Sequence, residues 1–253
     1  MIYEDEPFVD RLGYVAEHGF DTVEFWTWPD KDLEAIEARL QEYDLSLSGM
    51  SAIRETGRPP EELHTALTDP DTRAEAVEDI ERSIEVASRL DCPNLIVSVG
   101  PTQHYTHQEM YNSVVGGLRE VAPLAEAADV TLLIEPLNTA VDHPGYFVSE
   151  SETGYEILRD VDSPAVKLLF DIYHQQITEG NIIDNITAHR DRIGHIHAAD
   201  VPGRNEPGTG ELNYKNIFAV LDEIGYEGDV GFEFRPESDT DRALESISEL
   251  IFE

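Results

Sequence analysis

Short apolar runs alternate along the chain with longer segments whose apolar residues recur every three or four positions. The short runs are TVEFWTW (22–28), LSLSGMSAI (45–53), NLIVSVG (94–100), TLLIEPL (131–137), VKLLFDIYH (166–174), IGHIHAAD (193–200) and DVGFEFRP (229–236). Each predicts a strand, and segments such as TRAEAVEDIERSIEVASRL and EMYNSVVGGLREVAPLAEAA carry the helical period between them. PFVDRLGYVAEHG reads as a helix ahead of the first run, and TDRALESISELIF closes the chain as an amphipathic helix, giving seven strands and eight helices. Continuous apolar strands joined by helices predict a parallel sheet covered by helices. No G-x-G-x-x-G or G-x-x-x-x-G-K-[ST] loop follows any strand, which argues against an open doubly wound sheet. The expectation is an α/β chain folded as a (β/α)8 TIM barrel, one domain over residues 1–253. Its first strand is short or missing, because only MIY precedes the first helix.

In a parallel barrel the chemistry gathers at the C-terminal ends of the strands. Four runs end in residues that are costly there. Glu135 closes LLIEPLN, Asp171 and His174 close LLFDIYH, His197 lies in GHIHAAD, and Glu233 lies in GFEFRP. A lone carboxylate at a strand end is commonly a helix cap or a surface group. Four successive strands ending this way are harder to explain so, because a buried ionised carboxylate needs a partner or a metal. Glu135, Asp171, His197 and Glu233 stand 36, 26 and 36 residues apart, against about 30 residues for one strand–helix unit of a barrel. Each therefore falls on the next strand. Three carboxylates and an imidazole suit one divalent Mn, Mg or Co ion with room left for substrate oxygens. His195, two residues deeper on the same strand, reads as a satisfied core histidine.

Composition narrows the setting. The chain holds 53 acidic and 17 basic residues, a formal net charge of −36, and only three of the basic residues are lysines. Such a surface repels nucleic acid and anionic membranes, and no stretch approaches the roughly 18 apolar residues of a membrane span. It resembles the surfaces of proteins from salt-loving organisms, where molar salt shortens the Debye length to about 3 Å. The lone Cys92 excludes an internal disulfide, precedes an apolar strand and reads as a buried structural thiol. The acidic N-terminus lacks a signal-peptide core. A cytoplasmic protein, with a homo-oligomer possible, is the expectation.

LLIEPLN, VDHPGYF, FDIYHQQ, GHIHAADVPGRNEPGTGELNY and GFEFRP together resemble the hydroxypyruvate isomerase group of the xylose-isomerase-like sugar isomerases and epimerases. The resemblance runs from about residue 7 to the C-terminus, and HIHAADVPGRNEPGTGELNY is its most specific part. It implies a metal held by Glu135, Asp171, His197 and Glu233. It also implies a small hydroxy-carbonyl or sugar substrate whose aldehyde and ketone forms interconvert through an enediolate, with Glu135 and Glu233 moving the proton. The group's closest members often carry Gln where this chain has His197, and ketose epimerases of the superfamily carry His. Ketose 3-epimerase, inosose dehydratase and a non-catalytic sugar-binding barrel therefore stand as alternatives. An apurinic endonuclease-like phosphodiesterase is opposed by the negative charge and by the want of further ligand histidines.

By the same resemblance His174 bonds a substrate oxygen and Arg204 is a substrate-binding arginine. The residues alone also fit a helix-start histidine and a solvated loop charge. His143, in the loop after the first ligand strand, fits either a cover over substrate or an exposed turn. Glu206 faces water more readily than it orients Arg204. Trp26 and Trp28 alternate to one side of a strand and fit either a pocket wall or, more readily, core packing. His104 and His107 lack a third ligand, and Glu24 is a buried-strand acid without a nameable partner. The charge itself generates a prediction. The melting temperature should rise as KCl goes from roughly 0.1 M to molar levels; a thermal melt that is flat or falls with salt would contradict this reading.

Overall fold

The computed structural model describes residues 2–52 and 66–252. Its elements run α1 (Phe8–Glu17), β1 (Thr22–Phe25), α2 (Leu33–Tyr43), β2 (Ser46–Ala52), α3 (Arg73–Arg89), β3 (Asn94–Val97), α4 (His107–Ala128), β4 (Thr131–Ile134) and α5 (Ser151–Val161). They continue with β5 (Val166–Asp171), α6 (Ile172–Thr178), α7 (Ile182–His189), β6 (Ile193–Ala198), α8 (Tyr214–Ile224), β7 (Val230–Phe232) and α9 (Thr240–Phe252). Seven parallel strands lie side by side in chain order, with β1 and β7 at the edges. No strand precedes α1 among the described residues, as the sequence led one to expect. The sheet curls far enough for Glu24 on the edge strand β1 to reach His195 and His197 on β6, one strand in from the opposite edge.

Side-chain alternation sorts the strands into two faces. Leu132, Ile134, Leu168, Phe170 and Ile196 face the helices and join the main core. Ile96, Leu133 and Leu169 form a separate apolar cluster inside the barrel. Two positions beyond Leu133 comes Glu135, and two beyond Leu169 comes Asp171. The same step leads from His195 to His197 and from Gly231 to Glu233. Period two therefore places the four costly side chains in the lumen, above an apolar floor. The register between β5 and β6 shifts at Leu168/Leu169 and sets His195 opposite Leu169 and His197 opposite Asp171. A one-residue slip exchanges the faces of a strand, so this irregularity sets both histidines on the lumen face. Gly194 sits at the shift, where a Cβ would meet Leu133 Cδ2 at 2.8 Å.

The strands end sooner than the apolar runs suggested. β4 stops at Ile134 and β7 at Phe232, leaving Glu135 and Glu233 as the first loop residues beyond the ladder. The run VKLLFDIYH divides, so His174 lies in α6 and not at a strand end. Asp171 makes the division, because its Oδ1 accepts the His174 backbone N–H at 3.0 Å and caps the helix. Ile53, the last residue of the second predicted strand, lies outside the described residues. The described residues hold nine α-helices, one more than the sequence count. After β5 the chain makes two short ones, broken at Gly180 and Asn181, both in left-handed conformation.

The floor under the site is a testable part of this architecture. Leu133 is fully buried, and Leu133→Ala should destabilise the fold by about 2–5 kcal/mol in urea unfolding. A loss under about 1 kcal/mol would show that the lumen is not packed as described.

Candidate active site

Glu135, Asp171, His197 and Glu233 each turn one ligand atom to a common point, and those atoms lie within 4.8 Å of one another. His197 Nδ1 stands 2.9 Å from Glu233 Oε2, off the direction of a hydrogen bond, and 3.6 Å from Glu135 Oε1. Asp171 and His197 are buried, and the two glutamates are nearly so. Both Glu135 Oε1 and His197 Nδ1 are buried without a hydrogen-bond partner among the described residues. Buried polar atoms are rarely left so. Three converging carboxylates and an imidazole lone pair form an oxygen-rich donor set that a hard divalent cation satisfies. The residues present fit such an ion.

The remaining groups order this cluster. Arg204 is buried, contrary to a solvated loop charge; its guanidinium pairs with Glu233, stands 3.6 Å from Asp171 and lies 5.2 Å from the Tyr173 ring centroid. Burial disfavours its charge, yet Glu233 and Asp171 raise its pKa further. Its backbone is left-handed, with φ 57°. The loop is gathered by buried Asp200, which accepts the backbone N–H groups of Val201, Gly208 and Leu212 at 2.9, 2.8 and 3.1 Å. Glu206 departs from the expectation that it faces water. It is buried and accepts the Glu237 N–H at 3.0 Å, tying the Arg204 loop to the segment behind Glu233.

His174 is fully buried beside Asp171, whose Oδ2 is 3.7 Å from its Nε2. Its Nδ1 accepts from the Asn138 backbone N–H at 3.2 Å and faces the Asn138 side-chain amide at 2.7 Å. An accepting Nδ1 places the proton on Nε2. Asn138 also donates to Asp142, which accepts from the Tyr173 hydroxyl at 2.8 Å. The His143 ring lies 5.2 Å from that of His174, so it sits against the site and is only partly exposed. Burial, then His174 and Arg204, lower its pKa. Asn138, Asp142 and Tyr173 escaped the sequence reading, although EPLN, VDHPGYF and DIYH contain them.

Glu24 gains two partners. Its Oε1 is 2.9 Å from His195 Nε2 and its Oε2 is 2.9 Å from His197 Nε2. Burial opposes its ionisation, but the two imidazoles hold its carboxyl well below the ordinary range. Burial likewise opposes an imidazolium at His197, which Glu24, Glu135 and Glu233 nevertheless hold well above the ordinary range. His195 is buried with Nε2 on Glu24, but its Nδ1 has no hydrogen-bond partner among the described residues, so it is not the satisfied core histidine that the sequence suggested. Trp26 is not core packing. It is 45% exposed at a cavity of about 340 Å³ that Glu233, His197, Phe25 and Lys31 also line. Trp28 packs against the core and donates to Ser83 at 3.1 Å. A left-handed Thr27 between them breaks the strand alternation that the sequence implied. Neither His104 nor His107 belongs to a possible metal cluster among the described residues.

Residues 12–250 match the model of a family described as xylose isomerase-like TIM barrel. A 2-oxo-tetronate isomerase of Cupriavidus necator is 34% identical over 96% of this chain and 93% of its own. A hydroxypyruvate isomerase of Escherichia coli is 31% identical over 96% of this chain and 94% of its own. Among solved structures, an AP endonuclease, family 2, from Brucella melitensis superposes with a TM-score of 0.92 at 29% identity, over 98% of this chain and 95% of that one. The chain belongs to the xylose isomerase-like TIM-barrel family, as a hydroxypyruvate isomerase-like enzyme.

Proposed function

We propose that this enzyme interconverts a small hydroxy-aldehyde and hydroxy-ketone of the hydroxypyruvate/tartronate semialdehyde type by proton transfer through an enediolate. The observation that carries the reading is the convergence of Glu135, Asp171, His197 and Glu233 with two buried atoms lacking partners. The names of the full-length relatives support the substrate class. The four residues would hold one divalent ion, Mn, Mg or Co, which when bound supplies Lewis acidity and a template for the substrate oxygens.

Glu135 and Glu233 approach the lumen from the ends of β4 and β7, two strands separated by β5 and β6. Carboxylates so placed act on opposite sides of a substrate, one removing the proton next to the carbonyl and the other returning it. Arg204 restrains Glu233 by direct pairing, and its planar fork suits a carboxylate or paired hydroxyls of the substrate. The His174 Nε2–H, held in that tautomer by Asn138, donates to a substrate oxygen. His143 packs over His174 and helps exclude water. The cavity of about 340 Å³ reaches the cluster at His197 and Glu233 and otherwise runs along β1, β7 and α1. A second reading, ketose 3-epimerase, is favoured by His197 as the third ligand and needs the same proton transfer. The buried lone Cys92 and the net charge of −36 support a reducing, salt-rich cytoplasm as the setting.

The test is turnover in D2O with Mn2+ in high salt, over hydroxypyruvate, tartronate semialdehyde and a panel of ketoses. Solvent deuterium should enter a substrate C–H bond. Glu135→Gln and Glu233→Gln should each lower kcat by about 10²- to 10⁴-fold. Turnover without deuterium entry would contradict proton transfer, and turnover of ketoses alone would move the assignment to the epimerase reading.

A further inference from the structure

Glu24 contributes no atom to the four-residue cluster, yet it touches the one imidazole there. We infer that Glu24 is a positioning residue: by accepting Nε2–H from both His195 and His197, it fixes the His197 ring so that Nδ1 is the nitrogen facing Glu135, Asp171 and Glu233. The inference rests on the reading of those four residues as a metal site.

Three features of the structure carry it. An ionised carboxylate only accepts hydrogen bonds, so contacts of 2.9 Å to both Nε2 atoms require a proton on each. An imidazole that keeps its Nε2 proton on Glu24 has only Nδ1 to offer a cation, and Nδ1 is the buried atom of His197 that lacks a hydrogen-bond partner. The lumen is also cleared for the carboxylate. Gly231 is paired in register with His197, and a Cβ there would land on Glu24 Oε1 and within 3.0 Å of His197 Cδ2. Gly49, paired with Glu24 itself, would bring a Cβ to 3.4 Å from Oε2.

His195 supplies the second anchor. Its ring stands at 84° to that of His197, centroids 5.2 Å apart, and it holds the other oxygen of Glu24. The carboxylate is thereby fixed at both ends and cannot swing from His197. A carboxylate accepts from both Nε2–H groups at once. A glutamine of the same shape offers one acceptor oxygen and one donor amide, so one histidine loses its acceptor. Outer partners of this kind commonly set ligand orientation and affinity. Glu24, His195 and His197 also lie close enough to share an ion of their own, which the experiment distinguishes.

The experiment measures Mn2+ binding by electron paramagnetic resonance in the unaltered protein, Glu24→Gln and Gly231→Ala. It adds ¹⁵N-histidine NMR of the Mg2+-saturated unaltered protein, with His197 signals assigned by their loss in His197→Gln. The expected results are one Mn2+ per chain, affinity weakened about 10- to 100-fold in both variants, and a protonated Nε2 on His197. A folded Glu24→Gln protein that binds Mn2+ within about twofold of its parent would overturn the inference. So would a His197 protonated on Nδ1, a result that needs no variant to fold. A second Mn2+ per chain lost in Glu24→Gln would make Glu24 a ligand and overturn it too. Absence of any Mn2+ binding to the unaltered protein would instead fail the metal reading on which the inference stands.

Discussion

Three carboxylates and an imidazole crowd the end of a parallel barrel, and their mutual repulsion is the constraint around which the surroundings are arranged. Ionised carboxylates this buried are stable only beside compensating charge. Arg204 supplies part of it against Glu233 and Asp171. His174 presents its Nε2 toward Asp171, and Glu24 draws the outer nitrogen of His197 away from the cluster. Each compensating group is itself tied down: Arg204 by a loop gathered on Asp200, His174 by Asn138, Glu24 by His195. Among the four cluster residues, Glu135 Oε1 and His197 Nδ1 have no hydrogen-bond partner, and that is where a cation belongs.

The barrel makes such crowding possible because its two faces are independent. One side of each strand is committed to the helix layer through Leu132, Ile134, Leu168, Phe170 and Ile196. The other side is free to run from apolar to polar along its length. Leu133 and Leu169 build a dry floor, and two residues later the same faces carry Glu135 and Asp171. The floor keeps water from approaching the carboxylates from below and fixes the height at which they meet.

Period two is a local property, and so the four cluster residues were legible from strand ends alone. The runs overreached at their C-terminal ends because apolar composition continues past the last paired residue; Asp171 capping α6 is the clearest case. Arg204 and Glu206 were less legible, since a Pro/Gly-rich loop reads as exposed and bonds to Asp200, Arg235 and Glu237 hold it down. Glu24 was the least legible. Its partners lie 171 and 173 residues away along the chain, across the edge where the curled sheet closes. No local pattern encodes that meeting. Trp26 failed for the opposite reason, because a single left-handed residue, Thr27, breaks an alternation that composition alone suggested.

The most direct measurement of the shared-cation claim is anomalous scattering from crystals grown with Mn2+, recorded on both sides of the manganese edge. The account predicts one strong manganese peak per chain, bounded by Glu135, Asp171, His197 Nδ1 and Glu233 above the Leu133–Leu169 floor. A lumen without a peak, or a manganese held only by acidic groups on the outer surface, would contradict it.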